Sequence, residues 1–203
     1  MNILVTNDDG IYSPGIAALA RMAKKFGDVQ IVAPDVEQSS MGHAVTHSRP
    51  LSYKKSPIQF EDIEAFRVNG TPADCVALGA HINNITDVVL SGINMGLNLG
   101  NSMWHSGTLA AAKEAVLLGM KGIAFSTPVG KSDPDFDMLQ PYVERILEIL
   151  LEKKGLCLFN VNLPHHPKDI MWTRQSVRFY DGKIVPGIDP MGRKHYWFTI
   201  TPL

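Results

Sequence analysis

The sequence has no long apolar run, no excess of either charge and very little cysteine, and these shortages narrow the field at once. No apolar stretch approaches the roughly 18 residues that a transmembrane helix requires, so no membrane span is expected. Lysine plus arginine number 19 against 20 aspartate plus glutamate, a formal net charge of −1. That balance offers no broad positive field for a nucleic-acid polymer and no basic run for a lipid surface, so an anionic ligand must be held by a local site. The only two cysteines, Cys75 and Cys157, lie in apolar stretches and read as buried free thiols rather than a disulfide. The N-terminus has no basic n-region and carries paired carboxylates at positions 8 and 9, unlike a signal peptide, so a soluble cytoplasmic protein is expected.

Several catalytic signatures are also missing. No Gly-x-x-x-x-Gly-Lys-Ser/Thr run is present, which excludes a P-loop NTPase. No Gly-x-Ser-x-Gly elbow occurs; Ser91 sits in Val-Leu-Ser-Gly-Ile, which argues against a serine nucleophile. His43 and His47 are four apart, but the segment His-Ala-Val-Thr-His lacks the glutamate of a zinc-protease helix.

What is present reads as an α/β chain. Short apolar runs alternate with helical patterns, the mark of βαβ units and a mostly parallel sheet in a Rossmann-like three-layer fold. Ile3-Leu4-Val5 is continuously apolar, as in a strand covered on both faces. Ser13 and Pro14 supply an N-cap and a first helical residue, and Ile16, Leu19, Ala20, Ala23 and Phe26 follow at helical spacing. Further strands are expected over residues 29–33, 51–53, 66–68, 87–91, 123–126 and 156–162. Further helices are expected after Thr71-Pro72 and over 108–118 and 138–153. Past Pro164 no helical period remains, and two β-rich pieces, 176–180 and 196–201, predict a small C-terminal β extension. The domain reading is a core over 1–163 that carries the chemistry and a β-rich extension or arm over 164–203.

The chemistry gathers at strand ends. Asn7-Asp8-Asp9-Gly10 follows the first strand, where open α/β sheets bind their ligands. Adjacent carboxylates in a crevice repel unless one is protonated or a cation compensates, and Mg²⁺ or Mn²⁺ with its preference for oxygen would do so. The same four residues are equally good turn chemistry. Ser91-Gly92-Ile93-Asn94 through Asn98 and Asn101 is a glycine- and asparagine-rich loop after the strand 87–91, with a plain flexible loop as its alternative. Ser106, Gly107 and Thr108 open an alanine-rich helix, a place suited to phosphate or simply an ordinary cap. Ser39, after the second strand, adds a polar group from a fourth loop.

Taken in order, Asn7-Asp8-Asp9-Gly10, Ala33-Pro34-Asp35, Gln38-Ser39, Asn69-Gly70-Thr71-Pro72-Ala73-Asp74, Ser91-Gly92-Ile93-Asn94 and Ser106-Gly107-Thr108 resemble the SurE (survival protein E) family of 5′-nucleotidases, over residues 1 to about 163. The resemblance implies a phosphatase that hydrolyses nucleoside 5′-monophosphates, with 3′-nucleotides and short polyphosphate as further candidates. It implies one divalent cation per subunit held by Asp8, Asp9, Ser39 and Asn94, with Asp8 and Asp9 catalytic. It also implies phosphate contacts from Asn98, Ser106, Gly107 and Thr108, and a homodimer or tetramer partly built by a C-terminal arm. The tail departs from the family: Asp189-Pro190-Met191-Gly192-Arg193 with Tyr196-Trp197 nearly touches Thr199-Ile200-Thr201-Pro202-Leu203, where members carry some tens of residues between, so the arm is expected to be short.

Two other readings use similar parts. A haloacid-dehalogenase-type phosphatase needs Asp-x-Asp where this chain has Asp-Asp. A non-enzymatic receiver-type module that binds Mg²⁺ needs an aspartate and a lysine at two later strand ends, where Ser91-Gly92 and Ser126-Thr127 stand.

Overall fold

The computed structural model describes residues 1–83, 86–130, 134–155 and 157–173, and the backbone course of 183–188 and 194–199. The elements run β1 (Asn2–Thr6), α1 (Pro14–Ala23), β2 (Asp28–Pro34), β3 (Tyr53–Lys55), β4 (Glu64–Val68), α2 (Pro72–Asn83) and β5 (Val88–Met95). A 3-10 turn (Gly100–Trp104) follows, then α3 (Gly107–Leu117), β6 (Lys121–Thr127), α4 (Phe136–Glu152), β7 (Leu158–Asn162), β8 (Lys183–Ile188) and β9 (Lys194–Thr199). Seven strands form one sheet in the order β3-β4-β2-β1-β5-β6-β7, parallel except for β3, which runs antiparallel to β4. Among the described residues β8 and β9 pair with each other, antiparallel.

The apolar run of β1 divides between two cores because successive side chains point to opposite faces. Ile3 and Val5 pack with Ile16, Leu19 and Met22 of α1 and with Leu139, Val143, Leu147 and Leu150 of α4. Leu4 packs on the other face with Val76 of α2 and Ala111 and Ala115 of α3. Three layers result, with α1 and α4 on one side of the sheet and α2 and α3 on the other. The small residues of α3 are what let that helix lie close against the sheet.

Several expectations shift in position. β5 does not stop at Ser91: after an irregularity it resumes pairing with β6 at Asn94↔Ser126 and Met95↔Thr127. Gly92 permits this, since a Cβ there would stand 2.4 Å from the carbonyl oxygen of Phe125, and its φ of +134° disfavours L side chains. Asn94 therefore belongs to a strand rather than to the loop expected after it. Cys75 is buried but Cys157 is exposed, contrary to the expectation of two buried thiols. It stands just before β7, an edge strand whose first residue, Leu158, is exposed as well. The strand expected over 176–180 and the motif 189–193 lie outside the described residues; the piece expected over 196–201 is seen as β9.

One cation ties two elements together. Lys121, at the start of β6, donates from Nζ to the carbonyls of Leu150, Leu151 and Lys153 at 2.7, 3.0 and 3.0 Å. These include orphan acceptors of the C-terminus of α4, where the helix dipole also favours positive charge. Lys121→Met keeps the aliphatic stem and removes the donors, so it should lower the unfolding free energy by about 2 kcal/mol. Urea unfolding would show this as a lower midpoint with an unchanged m value; an unchanged midpoint would mean that water serves those carbonyls equally well.

Candidate active site

The strand order reverses beside β1: the chain builds outward to β2 and β4 on one side, then crosses to β5, β6 and β7 on the other. A crevice beyond the carboxyl ends of β1 and β5 follows from that reversal. Asp8 and Asp9 leave β1 there, and Asn94 sits on the last turn of pairing in β5.

The turn reading of Asn7-Asp8-Asp9-Gly10 holds for Asn7 and Gly10. Asn7 is buried and donates from Nδ2 to the carbonyl of Gly10 (3.0 Å) and to Ser13 Oγ (2.8 Å), while Gly10 N–H donates back to Asn7 Oδ1 (3.2 Å). Ser13 Oγ in turn accepts from Ile16 N–H at the start of α1. The turn thus consumes Asn7 and Gly10 and leaves the two aspartates to project.

Asp8 is 4% exposed and lies on the N-terminus of α3. Thr108 Oγ1 donates to Asp8 Oδ1 at 2.7 Å, and the Thr108 backbone N–H faces the same carboxylate. Gly107 is glycine for a reason of space: a Cβ there would come within 2.7 Å of Asp8 Cβ. Burial pushes the Asp8 carboxyl above its ordinary range, and the hydrogen bonds from Thr108 pull against that rise. Asp9 is pushed up to about 6, first by burial and then by the charge of Asp8, with the backbone N–H of Met95 opposing. Asp9 Oδ2 is buried and has no hydrogen-bond partner among the described residues.

The loop over residues 35–48 brings Ser39 to this place. Gln38 N–H donates to the Asp8 carbonyl at 2.7 Å, and Gly42 N–H donates to the carbonyl of His105. Ser39 itself is exposed and donates from Oγ to Glu37 Oε1 at 2.7 Å. Glu37 was missed by sequence reasoning; it is close enough to raise both aspartates by charge. Within Glu37-Gln38-Ser39-Ser40 nothing distinguishes it from a solvated loop acid. The far end of the loop is fastened by α2: Thr46 donates from N and Oγ1 to Asp74 at 2.9 and 2.6 Å. Asp74 and Thr71 cap each other reciprocally at 2.9 and 3.1 Å, so this part of the Asn69-to-Asp74 motif is an anchor for the loop.

Asn94 donates from Nδ2 to the carbonyl of Gly96 at 2.6 Å, leaving its amide oxygen uncommitted among the described residues. The direct neighbours of Ser39 and Asn94, namely Gln38 and Met95, both touch the aspartates. Four chain segments therefore meet at one point. Among the described residues no three of His, Cys, Asp and Glu gather as a metal cluster, so a cation here would rest on two carboxylates and neutral oxygens.

The residues expected to hold phosphate are differently occupied. Ser106 Oγ accepts from Leu109 N–H at 3.1 Å as the N-cap of α3. Thr108 faces Asp8 with both its hydroxyl and its amide. Asn98 is 5% exposed and directs Nδ2 to Ser126 Oγ (2.9 Å) and Thr108 Oγ1 (3.3 Å). In the first turn of α3 the Gly107 N–H remains without a partner among the described residues.

The metal-free pair has a measurable signature. A carboxyl held near 6 when folded and near its unfolded value of about 3.9 makes the native state bind more protons between these limits. The contribution of Asp9 to stability is then fully present below pH ~4 and is lost as pH rises through ~6. In EDTA, Asp9→Asn should therefore melt higher than wild type at pH 8, with the margin shrinking toward pH 4. A margin that grows on acidification would reverse the assignment.

Comparison with known proteins places the chain in a family. The family model described as Survival protein SurE matches residues 3–182. The 5′-nucleotidase SurE 1 of Thermus thermophilus is 45% identical, covering 100% of this chain and 82% of that protein. The 5′-nucleotidase SurE of Deinococcus radiodurans is 44% identical over 96% of this chain and 75% of its own length. The crystal structure of the SurE protein from Aquifex aeolicus superposes with a TM-score of 0.80 at 38% identity, covering 98% of this chain and 82% of that one. A family model matched over most of the chain, relatives 45% and 44% identical and a shared fold leave one conclusion: the chain belongs to the SurE family.

Proposed function

We propose that this chain is a metal-dependent phosphatase that hydrolyses nucleoside 5′-monophosphates to nucleoside and inorganic phosphate. The observation that carries the reading is Asp9 Oδ2, a buried carboxylate oxygen with no partner among the described residues, beside the buried carboxylate of Asp8. Buried polar atoms are rarely left so, and a cation is the group that satisfies both acids together. The donor chemistry suits a hard ion: Asp8 and Asp9 carboxylates, Ser39 Oγ and Asn94 Oδ1 would make an all-oxygen set, which favours Mg²⁺ or Mn²⁺ over zinc. The names of the relatives, 5′-nucleotidase in both cases, support the substrate class.

When bound, a divalent cation supplies positive charge against the phosphoryl oxygens and acidifies an adjacent water. The chain's own residues do the remaining work. Gly107 N–H and the Ser106 hydroxyl, at the positive end of α3, are the donors placed to hold phosphate oxygens. Thr108 and Asn98 support the site from below, Thr108 by fixing Asp8 and Asn98 by fixing Thr108. Because Asp8 Oδ1 is already engaged, Asp9 has the freer carboxylate and is our choice to orient the attacking water and accept its proton. No covalent intermediate is required.

We further assign residues 1–163 as the catalytic core and 164–203 as an extension that joins subunits into a dimer or tetramer. We also place the protein in the cytoplasm. Both cysteines are free, and Cys157 is an exposed thiol, which suits a reducing compartment.

A panel of nucleoside 5′-monophosphates assayed for phosphate release tests the function. EDTA should abolish turnover and Mn²⁺ or Mg²⁺ should restore it, and Asp8→Asn or Asp9→Asn should lose on the order of 10²–10³-fold in kcat with circular dichroism unchanged. Turnover that resists EDTA, or full activity in both variants, would overturn the proposal.

A further inference from the structure

A polar network in the described residues ends on Asp8, after β1, but begins three strands away, on β7. Asn162 treats the main chain of Asn98 as a neighbouring strand would: its Oδ1 accepts from Asn98 N–H at 2.8 Å and its Nδ2 donates to the Asn98 carbonyl at 3.2 Å. Asn160, two residues earlier on the same strand, donates to that carbonyl as well, at 2.8 Å. Asn98 is thus gripped at both of its backbone polar groups by side chains of an edge strand. Its own side chain then bridges Ser126 Oγ on β6 and Thr108 Oγ1 on α3.

The direction of the protons follows from counting them. Thr108 Oγ1 has a single hydrogen. An ionised Asp8 can only accept, so that hydrogen belongs to Asp8 Oδ1, at 2.7 Å. The other partner of Thr108 Oγ1 must then be a donor, which sets the Asn98 amide with Nδ2 toward Thr108, and both Nδ2 hydrogens are used, one on Thr108 and one on Ser126. With the amide turned over, Thr108 would face two acceptors and could abandon Asp8. The arrangement seen is the one that keeps Asp8 Oδ1 occupied and leaves Oδ2 to a ligand.

We propose that Asn162, Asn160 and Ser126 are positioning residues for the cation site: they fix Asn98, which orders Thr108, which holds Asp8 with one defined oxygen presented. None of the three is needed to touch substrate or metal. The inference rests on the metal-dependent reading given above. Groups that orient a metal ligand from behind commonly carry a tenfold or larger share of metal affinity.

The test measures Mn²⁺ binding by titration calorimetry on full-length protein freed of metal with EDTA, alongside Mn²⁺-dependent phosphate release. Asn162→Leu removes both contacts to Asn98 with little change in volume; Ser126→Ala removes one acceptor of the Asn98 amide. Lys121→Met serves as a control destabilised at a site that makes none of these contacts. Both network variants should bind Mn²⁺ tenfold or more weakly, with the Mn²⁺ concentration for half-maximal activity rising in parallel, while Lys121→Met binds as wild type does. Binding within twofold of wild type in both network variants would overturn the proposal, and so would equal weakening in Lys121→Met, which would reduce the effect to stability. Wild-type protein that neither binds Mn²⁺ nor releases phosphate would instead remove the functional reading, and this inference with it.

Discussion

Two neighbouring carboxylates, both taken largely out of water, are the constraint around which the rest of the molecule is arranged. An uncompensated buried carboxylate costs several kcal/mol, more than the roughly 1.5–3 kcal/mol that one buried aliphatic side chain contributes. The surroundings of Asp8 and Asp9 reduce that penalty only in part. Thr108 and the first turn of α3 serve Asp8, and Met95 N–H serves Asp9, yet Asp9 Oδ2 finds no partner among the described residues. A site that stops short of satisfying its own acids retains an unmet demand for positive charge, and our proposal is that a cation answers it.

The fold explains why the demand arises at this place. Reversal of strand order beside β1 opens the sheet edge between β1 and β5, and α3 arrives there with its positive end toward Asp8. Gly107 allows the close approach, and the alanines behind it let α3 lie flat on the sheet. The 35–48 loop is fastened at both ends, by Gln38 on the Asp8 carbonyl and by Thr46 on Asp74, so Ser39 and Glu37 are delivered to the crevice although they are exposed.

Much of this was legible in the sequence because it depends on local chemistry. Ile3-Leu4-Val5 announced a strand covered on both faces, Ser13-Pro14 and Ser106-Gly107 announced helix starts, and Leu139, Val143, Leu147 and Leu150 announced the buried stripe of α4. The family motifs marked Asp8, Asp9, Ser39 and Asn94 by position. What could not be read depends on partners distant in sequence. β5 runs on past Ser91 because β6 is there to pair with it, a fact carried by Ser126 and Thr127 rather than by the glycine- and asparagine-rich segment itself. Cys157 looks like a core residue in Leu156-Cys157-Leu158 and is exposed because its strand lies at the sheet edge. Thr108 carried the signal of a phosphate-binding helix start; its hydroxyl faces Asp8, 100 residues away.

Anomalous diffraction at the manganese edge from crystals soaked in Mn²⁺ addresses the central claim with the fewest intervening assumptions. The account predicts one peak per subunit lying between the carboxylates of Asp8 and Asp9, within coordination distance of Asp9 Oδ2 and of oxygens from Ser39 and Asn94. A peak elsewhere, or no peak with both aspartates protonated and paired to each other, would contradict it.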